Sequence, residues 1–160
     1  MIVIVQCASR KRADAGHLWD DDGNPVTFVA NPALAPTDQN TYARPDDLIS
    51  DTNATFRDLL SAYNLAPHDN PWNLLPAGNF YDVPVYAELS QKVEPSKLFI
   101  LSAGWGLIRA DFLIPTYDIT FSNQAEVWKR RSKSNQYLDY SQIVEGSREE
   151  IVAFCTPAYH

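Results

Sequence analysis

The chain has 160 residues and a formal net charge of −7, with 45% hydrophobic and 21% charged residues. This length and composition predict one globular domain with a core of useful size. The acidic balance argues against a protein that coats nucleic acid non-specifically, because such a protein needs a broad positive face. No apolar run approaches the ~20 residues that span a bilayer, so a cytoplasmic protein without a membrane partner is expected.

Two apolar runs predict the central strands. Residues 2–5 and 97–101 have the continuous hydrophobic pattern of strands that are buried on both faces, which is typical of a parallel sheet. A shorter strand is predicted at 26–30. The fold class that follows is α/β, with a mostly parallel central sheet flanked by helices, long irregular loops and a single domain over residues 1–160.

Hydrophobic spacing predicts two helices. Apolar residues at i, i+3, i+4 and i+7 over 56–63 indicate an amphipathic helix, with Asp51 or Thr52 as its cap. A second helix is expected to begin at 82–84, since proline is tolerated in a first turn, and to end by Pro95. Helical character is also predicted for two later stretches, 124–131 and 147–155, the second with a strand at 151–154 as its alternative.

The loop after the first strand is the first candidate site. In open α/β sheets, ligands bind outside the carboxyl ends of strands, and this loop lies at such an end. Ser9 and Arg10 are predicted to bind substrate, Lys11 to act in catalysis and Arg12 to bind nucleic acid. The alternative is a plain turn between a strand and a helix. Cys7 is expected to be a buried small residue and not a nucleophile.

Two further loops carry candidate residues. After the second strand, Ser102, Gly104, Trp105 and Gly106 form a glycine-containing loop that suits close approach to a ligand, with a tight packing turn as the alternative. Asp118 follows a rigid turn near Pro115. Its carboxylate would act as a general base or stabilise a cationic sugar-like transition state, with turn capping as the alternative.

Charge is unevenly distributed along the chain. Residues 1–70 hold 5 basic and 10 acidic side chains, whereas residues 119–144 have a net charge of +2. Four cations lie close together in the second stretch and are predicted to bind phosphates, with a solvated helix face as the alternative. These four nucleic-acid-binding candidates are Lys129, Arg130, Arg131 and Lys133.

No metal site or cofactor is predicted. Cys7 and Cys155 are far apart in the chain, without partners at metal-ligand spacing. The histidines, at positions 17, 68 and 160, show no catalytic arrangement. Aromatic residues in the loops suit either stacking on a base or burial.

Three elements in the same order resemble the peroxide-stress protein YaaA family, or a sister group of bacterial and phage α/β domains related to it. The most specific is the run 98–109 followed by 113–118; the others are the lysine-containing loop after the first strand and the stretch 78–81 before a helix. The resemblance covers the first strand and roughly 78–121. Family members are longer, so a compact or truncated member is expected.

The resemblance implies DNA binding and an α/β fold related in places to base-excision glycosylases. The expected function is therefore N-glycosylase-like base excision from modified DNA, in stress response or phage defence. An enzyme acting on free nucleosides or nucleotides fits the negative total charge better, and a non-catalytic nucleic-acid-binding module is a further alternative. The positions carried over from the family are Lys11, Tyr81, Ser102, Gly104, Gly106, Arg109, Tyr117 and Asp118.

Overall fold

A five-stranded mixed sheet is the centre of the computed structural model, which describes residues 1–66 and 69–156. The first three strands across the sheet run in one direction and the last two run in the opposite direction. The third and fourth strands are antiparallel to each other, and the other three pairs of neighbouring strands are parallel. The α/β class is confirmed, but the prediction of a mostly parallel sheet is wrong. In spatial order the strands are β10 (Ile151–Phe154), β1 (Ile2–Gln6), β6 (Leu98–Ser102), β7 (Gly106–Arg109) and β9 (Tyr140–Ser141).

The reversal of direction arises at a tight hairpin between β6 and β7. Ser102 pairs with Gly106, which leaves a loop of residues 103–105. Gly106 has φ +91°, a conformation that favours glycine, and a Cβ there would lie 2.6 Å from the carbonyl oxygen of Tyr140. Gly106, the first residue of β7 after this loop, therefore has a structural reason that its sequence pattern alone does not reveal.

Five short strands form two smaller sheets. The strand predicted at 26–30 is present as Pro25–Phe28, which is the middle strand of the larger of these two sheets. This three-stranded sheet contains β2 (Leu18–Trp19), β3 (Pro25–Phe28) and β4 (Thr41–Ala43), and the two-stranded one contains β5 (Leu75–Pro76) and β8 (Leu113–Ile114).

The two predicted helices are confirmed, as α1 (Phe56–Leu65) and α2 (Pro84–Lys92). The cap of α1 is Thr55 and not Asp51 or Thr52. The Thr55 hydroxyl accepts a hydrogen bond from the Asp58 N–H at 3.1 Å, and the Asp58 carboxylate accepts one from the Thr55 N–H at 2.8 Å. This reciprocal pair satisfies two backbone donors that a helix start otherwise leaves open.

The two later stretches differ from a helix. Within 124–131 there is a single 3₁₀ turn, Val127–Lys129, and 147–155 contains strand β10. Other 3₁₀ turns are Pro32–Leu34 and Ala77–Asn79. Among the residues that the structure describes, no helix has the length and apolar character needed to cross a membrane.

Buried guanidinium groups hold the hairpin between β6 and β7. The side chain of Arg57 donates to the carbonyl oxygens of Trp105 at 3.1 Å and Gly104 at 3.4 Å, and it forms an ion pair with Asp46 at 2.6 Å. Arg131 donates to the carbonyl oxygen of Ala103 at 2.9 Å. These contacts, together with the hydrogen bond that the Tyr140 N–H of β9 donates to the Trp105 carbonyl at 2.9 Å, satisfy the three loop carbonyls. They therefore allow the hairpin to be buried.

Candidate active site

A cleft of about 410 Å³ lies at the carboxyl end of β1, within the range of volumes typical of ligand sites. The loop after β1 forms one wall, and the segment 118–129 forms the other. The cleft is lined by Cys7, Ala8, Ser9 and Lys11 from the first wall and by Asp118, Ile119, Thr120, Ser122, Gln124, Ala125, Glu126 and Lys129 from the second.

Backbone hydrogen bonds fix the second wall. The Asp118 N–H donates to the carbonyl oxygen of Phe28 at 2.7 Å, which ties the wall to β3. Farther along, the Thr120 N–H donates to the Lys129 carbonyl at 2.9 Å and the Arg131 N–H donates to the Thr120 carbonyl at 2.8 Å. The segment therefore folds back on itself, and this return places Lys129 beside Asp118.

Lys129 is the cationic partner of two carboxylates at the cleft. Its Nζ lies 2.9 Å from Asp118 Oδ2 and 2.6 Å from Glu126 Oε2. The hydrogen bond with Glu126, followed by the contact with Asp118, raises the pKa of Lys129, and the same hydrogen bond lowers the pKa of Glu126. Lys129 is therefore a permanent cation at neutral pH.

Lys11 faces the same cleft in a different environment. Its Nζ donates to the Ser9 carbonyl at 3.4 Å and lies 4.7 Å from the centre of the Tyr117 ring. Burial lowers the pKa of Lys11, although the negative charge of Asp118 opposes that shift. An antiparallel bridge to Tyr81 holds the Lys11 backbone in place.

A buried hydroxyl network lies beneath Lys11. The hydroxyls of Tyr81 and Tyr117 are 2.8 Å apart, and Ser102 Oγ donates to the Tyr117 hydroxyl at 3.0 Å. Burial raises the pKa values of both tyrosines, so their hydroxyls stay protonated. The structure thus places three predicted substrate-binding residues, Tyr81, Ser102 and Tyr117, under the cleft and not among the side chains that line it.

Other predicted substrate-binding residues lie elsewhere. Gly104, Trp105 and Gly106 belong to the buried hairpin, and Trp105 has no exposed surface. Arg109 binds Asp111 and faces a separate groove of about 810 Å³. The structure brings these four residues neither to Lys11 nor to Asp118 at the cleft lining.

The basic residues next to the cleft are largely paired with carboxylates. Arg10 lies 3.2 Å from Asp82, and Arg12 lies 2.5 Å from Asp14, with all four side chains exposed. Such exposed ion pairs contribute little to stability, so a phosphate can compete with the carboxylates for the guanidinium groups.

The predicted basic cluster does not form one continuous face. Lys129 lines the cleft, while Arg131 binds Asp139 and lies 3.8 Å from the Tyr137 ring. Arg130 donates to a backbone carbonyl at 3.4 Å, and Lys133 lies on an exposed stretch. The four side chains therefore have different surroundings, although they are close together in the sequence.

Four polar residues of the second wall were not predicted from the sequence as site residues. Every second residue from Asp118 onward is polar, whereas Ile119 is buried and Phe121 is half-buried. Over the extended residues 118–122 this alternation predicts a shared face, because successive side chains of an extended segment point to opposite sides. Gln124 and Glu126 reach the cleft across a turn at 123–125, which that pattern does not predict. The four residues are Thr120, Ser122, Gln124 and Glu126.

The described residues contain no group of three or more histidine, cysteine, aspartate or glutamate side chains arranged to hold a metal ion. Cys7 is buried at the base of the cleft, where its Sγ accepts a hydrogen bond from the Ala103 N–H at 3.5 Å. His17 Nδ1 lies 3.2 Å from the Val26 carbonyl oxygen. His68 and His160 lie outside the described residues.

Replacing Lys11 with methionine is expected to raise the free energy of unfolding at neutral pH, and this gain should shrink as the pH approaches 10.5. The folded-state pKa of Lys11 is lowered by burial from its ordinary value of 10.5. Between those two values the unfolded chain holds the extra proton, so the stability of the unchanged protein rises with pH. Below the folded-state pKa of Lys11 the unchanged protein lacks this added stability, because Lys11 is then buried as a cation.

Urea denaturation of both proteins from neutral pH to pH 10.5 measures this difference. Asp118, Cys7 and Lys129 are the charged and titratable groups that influence the ammonium, and all three are present in both proteins. The difference between the two proteins therefore isolates the Lys11 side chain. A stability difference that stayed constant over the whole range would contradict a lowered Lys11 pKa.

Comparison of the chain with protein-family models, with curated proteins and with solved structures gives no match in any of the three.

Proposed function

We propose that this protein removes a base from modified DNA by cleaving the N-glycosidic bond, as a cytoplasmic, YaaA-like enzyme of stress response or phage defence. The observation that carries the proposal is the meeting of Lys11, Asp118 and Lys129 in one cleft. These residues come from two loops that are remote in the sequence. A carboxylate beside two cations around a nucleotide-sized space suits cleavage of this bond, because the carboxylate can stabilise positive charge on the sugar.

Asp118 is the proposed catalytic carboxylate. Its side chain is 39% exposed, so it is accessible from the cleft, and the Lys129 ammonium at 2.9 Å fixes its orientation. Positive charge develops on the sugar as the base departs, and a carboxylate close by stabilises that charge. The same group is also suited to accept a proton from the nucleophile.

The polar lining of the second wall suits recognition of a base. An enzyme that acts on a base in a duplex flips the base into a pocket and reads its edge by hydrogen bonds. Ser122 and Gln124 are exposed at the cleft and supply both donors and acceptors, and Thr120 lies between them and Asp118. These three residues are the proposed base-reading group.

Phosphate binding is proposed to be local. Arg10 and Arg12 follow the first wall, and Arg130 follows Lys129 on the second, so cations flank the cleft on both sides. With a total charge of −7, bulk attraction to DNA is unfavourable. A few contacts beside a shaped pocket then have to supply the affinity.

A second candidate function is cleavage of the same bond in free nucleosides or nucleotides. The ion pairs of Arg10, Arg12 and Arg131 favour it, because carboxylates beside these cations repel a DNA backbone. A small substrate would need only the cleft itself, where Lys11 and Lys129 balance Asp118 and Glu126.

Release of free base distinguishes these candidates. The protein is incubated with duplex and single-stranded oligonucleotides that carry deaminated, alkylated or oxidised bases, and separately with the matching nucleosides. Free base is measured by mass spectrometry, and DNA affinity is measured at two salt concentrations. The expected result is base release from DNA, with affinity that falls as salt rises.

Two other results would contradict the proposal. Release from nucleosides alone would establish the second candidate. Binding to DNA without release from any substrate would instead indicate a non-catalytic nucleic-acid-binding module.

A further inference from the structure

Two lysines at one cleft have opposite electrostatic surroundings. Lys129 is paired with Asp118 and Glu126, and this pairing raises its pKa. Lys11 forms no ion pair with any carboxylate of the described residues, and burial lowers its pKa. Such a divergence separates the roles of two like groups, because one stays charged while the other becomes a neutral amine more readily.

The Lys11 amine is also well positioned. The Arg12 N–H donates to the Phe80 carbonyl at 3.0 Å and the Asp82 N–H donates to the Arg10 carbonyl at 3.1 Å, so both neighbours of Lys11 are held. The face of Tyr117 lies under the amine, which leaves the opposite side toward the cleft. A lysine in partly apolar surroundings is the usual form of an amine nucleophile.

We propose that Lys11 is the nucleophile that attacks the sugar and forms a Schiff base with its C1′ carbon. This inference rests on the proposed function, since it names the attacking group of the same reaction. The Nζ lone pair forms a bond to C1′ while the bond between C1′ and the base breaks. The electron pair leaves with the base, which takes a proton from water and leaves a hydroxide ion.

Asp118 moves the remaining proton. It accepts a proton from the attached amine and returns it to the ring oxygen as the bond between C1′ and O4′ breaks, which leaves a protonated imine. Water then adds to the imine carbon, which releases the sugar aldehyde and leaves Lys11 as an ammonium. The hydroxide from the first step takes up the extra proton and regenerates the neutral amine. No oxidant or reductant takes part, and Lys129 keeps its charge throughout.

Cys7, another nucleophilic side chain at the cleft, is less suited to this role. Its exposed fraction is 7%, and its sulfur accepts a hydrogen bond from the hairpin backbone. Attack by the thiol would require loss of that contact. The amine of Lys11 can reach the cleft without breaking any ion pair.

Reductive trapping tests the proposal on a substrate that needs no base release. The full chain is mixed with an oligonucleotide that already contains an abasic aldehyde, and sodium borohydride is added. We expect a covalent protein–DNA adduct, with the modified peptide mapped to Lys11 by mass spectrometry. Lys11→Met and Lys11→Arg should both lose the adduct, and the arginine variant retains the positive charge if methionine impairs folding.

Lys92→Met is the matched control, because Lys92 is an exposed lysine at the end of α2. It should trap as efficiently as the unchanged protein. An adduct that persists in both Lys11 variants, or maps to another residue, would overturn the proposal. Base release without any trapped adduct would also overturn it, because water and not Lys11 would then be the group that attacks the sugar. Trapping at Lys11 without base release from any DNA would support Lys11 as the amine that forms the Schiff base, but it would reject the proposed function.

Discussion

Replacing Asp118 with asparagine is expected to slow base release by about 100- to 10,000-fold and to leave DNA affinity nearly unchanged. Asparagine has almost the same size and can still accept a hydrogen bond from Lys129, which lies 2.9 Å from the carboxylate. It carries no negative charge and cannot take up a proton. The substitution therefore removes the proposed chemistry while it preserves the shape of the cleft.

Single-turnover measurements separate the two effects. Protein in excess over labelled DNA gives the rate of base release, and fluorescence anisotropy gives the affinity. Asp111→Asn is the matched control, because Asp111 makes the same kind of ion pair, with Arg109, in a different groove. Full base release by Asp118→Asn would exclude this carboxylate from catalysis.

The largest effect on stability is expected from Arg57→Leu, which should lower the free energy of unfolding by about 3–5 kcal/mol. The Arg57 side chain is 5% exposed and its ion-pair partner Asp46 is 14% exposed. Leucine would leave that carboxylate buried without its cation. It would also remove the guanidinium donors to the Gly104 and Trp105 carbonyls, of which the Trp105 carbonyl also accepts from the Tyr140 N–H.

Urea denaturation, with Arg109→Leu as the control, measures this loss. The Arg109–Asp111 pair has side chains 48% and 42% exposed, so its removal should cost less than about 1 kcal/mol. Equal losses in the two variants would show that burial of the Arg57 pair does not stabilise the hairpin.

The strands and helices with the strongest hydrophobic patterns could be predicted from the sequence. β1 and β6 are continuous apolar runs, and α1 buries Phe56, Leu60 and Tyr63 from its predicted stripe. The direction of β7 could not be predicted in the same way. Its hairpin depends on a positive φ at Gly106 and on guanidinium donors from distant segments, and neither appears in local spacing.

The candidate site was predictable in part. Ser9 and Lys11 were expected after the first strand and Asp118 after a rigid turn, and all three line one cleft. The role of the basic cluster was not predictable, because adjacency in the sequence gives no information on partners. Lys129 and Arg131 are only two positions apart, yet one binds Asp118 and the other binds Asp139. Local charge counts therefore overestimate the cations available to phosphates.

The two walls of the cleft have a consequence for folding. Residues 7–11 and 118–129 are more than 100 positions apart, and β1, which leads into the first wall, pairs in parallel with the distant strand β6. Parallel pairing over such a separation forms slowly, because a long stretch of chain must be ordered first. During synthesis the cleft cannot assemble until Lys129 has left the ribosome. Base release during refolding therefore reports the long-range meeting of the two walls, whereas formation of the hairpin between β6 and β7 is only a local step.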